Sequence, residues 1–192
     1  MSKKASYLLA ALIVIVCLGI GIAAMGGGSN SKDPGFDPEG KTVSADASTF
    51  IPDVSSFPSD WTGGDKGTLP AAANVQSSYH RVFNYQQYTT VKYVDVNIYV
   101  YDTAENAKAR YNSEKTTASD TYQVTDKDWK QESFEYEYVV GGIQQHDTVC
   151  FRCMNVFVEM DYIANTTIGD LTQKQWTAIV DDIFEKLKAN AA

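Results

Sequence analysis

An uncharged apolar segment near the N-terminus constrains this chain more than any other feature. Residues Tyr7–Met25 carry no charged side chain and almost no polar one. A helix rises about 1.5 Å per residue, so this segment would span about 28 Å, close to the hydrocarbon thickness of a bilayer at about 30 Å. In water such a helix would expose apolar surface on every side. The segment therefore predicts a transmembrane helix, and residues 1–25 are interpreted as an N-terminal membrane anchor.

The charges around this segment predict its orientation. Lys3 and Lys4 precede it and no acidic residue does, and basic residues that flank a membrane span stay cytoplasmic. The N-terminus is expected inside and the rest of the chain outside, in a single-pass arrangement at the cell membrane. Two alternatives remain open: a cleaved signal peptide, whose apolar region usually has about 7–15 residues, and a lipoprotein modified at Cys17.

The remaining chain is acidic. The full sequence has 16 Lys and Arg and 24 Asp and Glu, and Lys3 and Lys4 are the only charged residues before residue 32, so residues 32–192 keep 14 basic residues and a net charge of −10. A negative potential of this size repels nucleic acid and anionic headgroups. The sequence thus predicts no nucleic-acid partner, and contact with the lipid bilayer through the N-terminal helix alone.

Composition divides the rest of the chain into a linker and a domain. Residues 26–49 are rich in Gly, Ser and Pro, which predicts a flexible linker that spans roughly 25–30 Å. Residues 50–192 are then expected to form one extracytoplasmic domain. Its first part, residues 51–73, is predicted to be irregular and anchored by Trp61, with Gly63–Thr68 as a surface turn.

Alternating side chains predict an antiparallel sheet. In Val91–Tyr101 every second residue from Val94 is β-branched and apolar, and Ser133–Val140 alternates in the same way before a Gly141-Gly142 turn. Strands are also expected near residues 77–88, 148–152 and 156–163. The alternation breaks between the last two, which favours a second hairpin turn, with Asn155 in the left-handed conformation.

Two helices follow strands. The side chains of Asp102 and Glu105 can cap the first turn of a helix, which predicts a helix that begins at about residue 103. Thr172 and Gln175 form a capping box before apolar residues at helical spacing from Trp176 to Leu187. The order of elements predicts an α+β fold, in which a two-layer domain has an antiparallel sheet with helices on one face.

The anchor, linker and domain plan resembles that of prokaryotic membrane-anchored proteins of unknown function, archaeal proteins among them. The segments Val96–Tyr111 and Cys153–Val158 carry this resemblance. The order of elements is also loosely similar to that of PsbP/Mog1-type domains. Neither resemblance implies a functional residue.

Motifs for catalysis are not found. Cys150 and Cys153 form a C-x-x-C in extended sequence without the helix that lowers thiol pKa values in redox enzymes; they are interpreted as structural cysteines, with a disulfide as the alternative if they flank a tight turn. His80 and His146 lack metal-ligand spacing. The sequence therefore predicts no cofactor, no metal and no enzyme activity. An enzyme that uses a histidine and a carboxylate is kept as an alternative.

Two surface features remain. Asn165-Thr166-Thr167 is an N-glycosylation sequon if the domain is outside. Tyrosines repeat on strands that are expected to be neighbours, and their apolar bodies and polar tips suit a binding face; they are Tyr93, Tyr99, Tyr101, Tyr136 and Tyr138. The leading hypothesis is a membrane-tethered binding module, such as a sensor, adaptor or envelope accessory protein, for a protein or glycan. A structural envelope protein is a further alternative.

Overall fold

The computed structural model describes residues 36–85, 92–127, 129, 131–165 and 171–192. Two short 3₁₀ helices, at Ala47–Phe50 and Val54–Ser56, precede seven strands and two α-helices. In chain order these are β1 (Trp61–Thr68), β2 (Val75–Tyr85), β3 (Lys92–Tyr101), α1 (Ala104–Ser119), β4 (Val124–Lys127), β5 (Glu132–Val140), β6 (Gln144–Cys153), β7 (Val156–Asn165) and α2 (Gln173–Ala189). Within the described ranges, no helix has the length and apolar character needed to cross a membrane. The predicted span Tyr7–Met25 lies outside them.

All seven strands form one antiparallel sheet in the order β1-β2-β3-β7-β6-β5-β4. β3 and β7 pair at its centre and join two runs of sequential strands, β1 to β3 and β4 to β7. β3 alternates in the sequence because its residues at even positions from Val94 to Val100 are buried, while the residues between them are half-buried. The pairing of the strands confirms the predicted α+β class and the antiparallel sheet.

The two helices lie on opposite faces of the sheet, so the predicted single helical layer is wrong. Val94, Val96, Ile98 and Val100 of β3 belong to the apolar core that includes α2. Tyr101, one residue further along β3, packs instead with Ala107 and Tyr111 of α1. We call these two sides the α2 face and the α1 face. A strand alternates between faces with a period of two, and that period does not reveal whether a helix covers the more polar side.

Both helices begin at side-chain caps. The hydroxyl of Thr172 accepts from the amide of Gln175, whose side chain accepts from the amide of Thr172, so the predicted capping box is confirmed. At α1 the cap is Thr103, whose hydroxyl accepts from the Asn106 amide at 3.1 Å. Asp102, the predicted cap, instead accepts a hydrogen bond from the Asn106 side chain.

The packed domain begins before Phe50. Val43 and Ala47, assigned to the linker by composition, are buried in the core on the α2 face. The buried side chain of Asn155 holds Val43 in place: it accepts from the Val43 amide at 2.8 Å and donates to the Val43 carbonyl at 3.0 Å and to the Tyr101 carbonyl at 2.6 Å. Thr42 and Ala192 exchange two backbone hydrogen bonds. The chain therefore enters the domain at the end of the sheet that carries the β6–β7 turn.

Both predicted hairpin turns are present. Gly141 and Gly142 have φ angles of 62° and 73° and connect β5 to β6. At the β6–β7 turn the left-handed residue is Met154, with φ 55°, rather than Asn155. The side chain of Asn155 is occupied by the hydrogen bonds to Val43 and Tyr101, and the amide of Met154 donates to the Gln131 side chain.

Two strands, β1 and β4, were not predicted from the sequence. β1 covers the segment that was predicted to be a surface turn, and the side chains of Arg81 and Asn84 on β2 lie beside its glycines Gly63 and Gly64. β4 has only four residues and pairs with β5 at the opposite edge. Neither segment has an apolar alternation, and each is an edge strand that pairs with one neighbouring strand.

Candidate functional site

All five predicted tyrosines lie on the α1 face, although the strands that carry them are not neighbours. β7 and β6 separate β3 from β5. Tyr101 and Tyr136 are buried under α1, where they pack with Phe134 and Phe157. Tyr93, Tyr99 and Tyr138 are half-buried. The tyrosines thus divide into two core residues and three that border the surface.

Those three tyrosines belong to a patch of polar and ionisable side chains. We call it the polar patch, and it consists of His80, Tyr93, Asp95, Tyr99, Tyr138, His146, Thr148, Glu159 and Asp161. It extends from Tyr99, opposite Phe157, across the α1 face toward the end of the sheet farther from the β6–β7 turn. The exposed fractions of its charged side chains range from 11% for His146 to 32% for Asp95.

The two central strands contribute the carboxylates. Asp95 of β3 and Asp161 of β7 are direct register partners, and Glu159 is opposite Asn97. Burial is the main cause that raises the pKa of both aspartates. Burial, followed by the charge of Glu114, raises the pKa of Glu159 to about 7, while Arg110 opposes this shift. Ionisation of these three carboxyl groups is therefore less favourable in the folded domain than in water.

Each aspartate has a histidine beside it. Nδ1 of His146 is 3.1 Å from one oxygen of Asp161, and the Thr148 hydroxyl donates to the other oxygen at 3.0 Å. On the other side of the patch, Nδ1 of His80 lies 3.6 Å from Asp95 Oδ1. That oxygen is buried and has no hydrogen-bond partner among the described residues. The geometry provides hydrogen-bond acceptors and two groups that can carry a proton.

Helix α1 brings a cation to the border of the patch. Arg110 lies 2.8 Å from Glu114 and 3.9 Å from Glu159. Its guanidinium also lies over the Phe157 ring, 5.5 Å from the centroid. Arg110 therefore neutralises only the side of the patch that is nearest to α1.

Stacked rings form the border on the β5 side. Tyr138 lies between two rings, with its centroid 4.8 Å from Tyr122 and 4.4 Å from His146, both nearly parallel to it. Burial raises the pKa of Tyr138 to about 12, so its hydroxyl keeps its proton at neutral pH. Tyr122 follows α1 in an irregular segment, and no sequence pattern assigned it to this surface.

The patch continues into an apolar hairpin tip. Val139, Val140 and Ile143 are the large hydrophobic residues most exposed in the described chain, at 56%, 47% and 66%. They flank the Gly141-Gly142 turn directly after Tyr138. An apolar tip beside a polar, aromatic surface is typical of contact sites between proteins.

The C-x-x-C residues cannot form a disulfide with each other. Cys150 and Cys153 are both in β6 rather than on two sides of a turn. Cys150 packs under α1 and Cys153 lies in the core of the α2 face, because positions three apart on a strand face opposite sides. The Cys150 thiol is buried, and burial raises its pKa well above the ordinary value. This geometry agrees with the structural interpretation of both cysteines.

Asn165 is exposed and is the last residue of β7, opposite Gln144. The sequon residues Thr166 and Thr167 lie outside the described residues, so glycosylation at Asn165 stays a prediction. In the described ranges, no group of three His, Cys, Asp or Glu side chains has an arrangement that could hold a metal ion.

The fold is similar to that of a known extracellular domain. The crystal structure of the extracellular domain of PknH from Mycobacterium tuberculosis is similar over 77% of this chain and 98% of that chain, with a TM-score of 0.57 and 12% identity. LpqN, involved in cell envelope biogenesis of the same organism, is similar over 81% of this chain and 85% of its own, with a TM-score of 0.29 and 12% identity. No family model and no curated protein matches the sequence.

Proposed function

We propose that this chain is a membrane-tethered extracytoplasmic binding module whose polar patch contacts the ligand. One observation carries the proposal. Half-buried tyrosines, carboxylates and histidines from five strands converge on the part of the α1 face that lies beyond α1. Side chains that serve only solubility have no reason to be buried there, since burial raises the pKa of Asp95, Asp161 and Glu159.

The chemistry of the patch favours a ligand that donates hydrogen bonds. Carboxylates dominate it, and Asp95 Oδ1 has no hydrogen-bond partner in the described chain. Tyr93, Tyr99 and Tyr138 offer apolar ring surface beside these acceptors. A peptide segment with basic side chains, or a glycan with its hydroxyl groups, meets both requirements. The net charge of −10 over residues 32–192 disfavours polyanions.

The position of the patch supports a tethered arrangement. The chain enters the domain near Asn155 and Ala192, where Val43 and Thr42 are bound. The patch and the hairpin tip lie toward the opposite end of the sheet. If Tyr7–Met25 anchors the chain, the tether therefore joins the domain at the end of the sheet opposite the hairpin tip. The similarity of the fold to the PknH extracellular domain supports an extracytoplasmic location.

Site-specific cross-linking tests the proposal. A photoreactive phenylalanine derivative replaces Tyr93 or Tyr138 in the full-length chain, expressed in its native membrane. The matched control places the same group at Tyr79, which is also half-buried on a strand but lies on the α2 face beside Ile98. We expect a discrete cross-linked product from the two patch positions and none from Tyr79.

The outcomes differ for each class of ligand. A product from Tyr93 and Tyr138 alone supports a protein partner at the patch. If no position yields a product, the detergent-solubilised chain is applied to a glycan array, and binding that Tyr138→Ala abolishes supports a glycan ligand. Equal products from all three positions, or no binding in either experiment, would refute a ligand-binding patch.

The contact between His146 and Asp161 favours one second candidate, an enzyme with acid–base chemistry. Asp161 can orient the imidazole through Nδ1, which leaves Nε2 to take up a proton from a substrate. A screen of ester, amide and glycoside substrates with the full-length chain and His146→Asn tests this function. Turnover that is lost in His146→Asn would favour the enzyme over the binding module.

A further inference from the structure

Both histidines of the chain lie in the polar patch. The sequence contains two histidines. His80 on β2 neighbours Asp95 on β3, and His146 on β6 neighbours Asp161 on β7. The two aspartates are opposite each other on the central strand pair. These four side chains form a row across four adjacent strands, with a histidine at each end and two aspartates in the middle. We call it the His–Asp row.

The middle of the row brings two like charges together. Directly opposite residues of an antiparallel pair have Cβ atoms about 4.5–5.5 Å apart, and like charges at such positions are destabilising. Each aspartate has an imidazole on its outer side, and a protonated imidazole would offset its charge. Imidazoles are the side chains that ordinarily change protonation between about pH 5 and 8.

We infer that the four residues of the His–Asp row bind protons as one coupled unit, which makes the charge of the polar patch depend on pH. When both imidazoles carry a proton, their charges balance the two carboxylates. Without those protons, Asp95 and Asp161 are an uncompensated pair of negative charges. The inference extends the proposed function, because a ligand of the patch would then bind with a pH-dependent affinity.

Other ionisable groups surround the row. Asp65 of β1 and Glu159 of β7 add negative charge near the two aspartates. Arg110 and Glu114 of α1 form an ion pair at the edge of the patch. Three tyrosines complete the surroundings, and each has a raised pKa that keeps it neutral: Tyr93, Tyr99 and Tyr138. The histidines are thus the groups within the row that can supply positive charge.

A titration of the histidine signals tests the coupling. The full-length chain, labelled with ¹³C at the histidine Cε1 atoms and held in detergent micelles, gives two resonances that are followed by NMR from pH 4.5 to 9. Asp95 and His146 are on strands two places apart, about 10 Å. Removal of the Asp95 charge in Asp95→Asn should lower the titration midpoint of His146 by about 0.3–1 pH unit. The control Glu185→Gln removes one negative charge from the exposed surface of α2 and should leave it unchanged.

The reciprocal variant protects the test against a folding failure. Asp161→Asn should lower the midpoint of His80 by a similar amount, because Asp161 and His80 are also on strands two places apart. If the midpoint of the distant histidine stays within 0.1 pH unit in every variant that folds, the histidines titrate independently and the inference is refuted. The titration uses no ligand, so a coupled row together with a failed cross-linking and glycan test would refute the binding function alone.

Discussion

Substitution of Glu159 by glutamine should stabilise the domain at neutral and alkaline pH. The carboxylate lies on the central strand β7, with Glu114 on one side and Asp161 two residues along the strand. Burial and these charges raise its pKa from 4.5 to about 7, and Arg110 at 3.9 Å compensates only in part. Glutamine keeps the shape of the side chain and carries no charge.

The sign and size follow from proton linkage. The pKa of Glu159 is higher in the folded state than in the unfolded state, so its contribution to stability is fully present below pH 4.5 and is lost as the pH rises to about 7. A difference of about 2.5 pH units, at about 1.4 kcal/mol each, corresponds to about 3 kcal/mol. This difference already includes the attraction to Arg110, which opposes the rise in pKa. Glu159→Gln should therefore stabilise the domain by about 3 kcal/mol at pH 8 relative to pH 4.5.

Urea denaturation of the full-length chain in non-ionic detergent measures this effect through tryptophan fluorescence. The free energies of unfolding of the wild type and Glu159→Gln should coincide near pH 4.5 and separate as the pH rises to 8. Glu185→Gln, an exposed change on α2, should follow the wild type at every pH. If Glu159→Gln is less stable than the wild type at pH 8, or differs from it equally at both pH values, the carboxylate is ionised without cost and the reasoning is wrong.

Two other predictions concern the interior of the domain. Asn155→Ala removes three hydrogen bonds that connect Val43 and Tyr101 to the β6–β7 turn and leaves their backbone groups buried without partners. It should lower the free energy of unfolding by about 2–4 kcal/mol in the same urea assay, and a change below 0.5 kcal/mol would show that the residues before Phe50 do not stabilise the domain. The Cys150 thiol, buried and with a raised pKa, should resist iodoacetamide at pH 8 until urea unfolds the chain. Mass spectrometry of the peptide that contains Cys150 measures this, and rapid modification of the folded chain would contradict its burial.

Local patterns in the sequence predicted the elements whose stability is local in origin. The capping box at Thr172 and the apolar spacing from Trp176 identified α2 because a helix is closed by hydrogen bonds between near neighbours. The alternation around Val94 identified β3, and Gly141-Gly142 identified the first hairpin turn. In each case the residues that specify the structure are within a few positions of one another.

The segments that were misread depend on partners far along the chain. β1 is glycine-rich, and it is a strand because its backbone pairs with β2, where Trp61 is opposite Tyr85. Residues 42–49 have the composition of a linker, and they are ordered because the Asn155 side chain binds Val43. Thr103 rather than Asp102 caps α1, and the amide of Asp102 donates to the carbonyl of Asn74, a partner 28 positions earlier in the chain.

The candidate site also has one part that local sequence patterns predicted and another that they could not. The period of a strand was sufficient to show that Tyr93, Tyr99 and Tyr101 share a face. It could not show that α1 covers that face at Tyr101 and leaves Tyr93 near the surface. His80 and His146 had no motif around them, because the aspartates beside them are on other strands.

The sequence by itself determined the uncharged segment Tyr7–Met25, the acidic balance and the antiparallel α+β class, since these depend on composition and short-range periodicity. Only the tertiary structure decided that the two helices cover opposite faces, that Cys150 and Cys153 point apart, and that two histidines flank two opposed aspartates. Those relations depend on which strands are neighbours and in what register. Register is set by burial of the whole sheet, and no short segment contains that information.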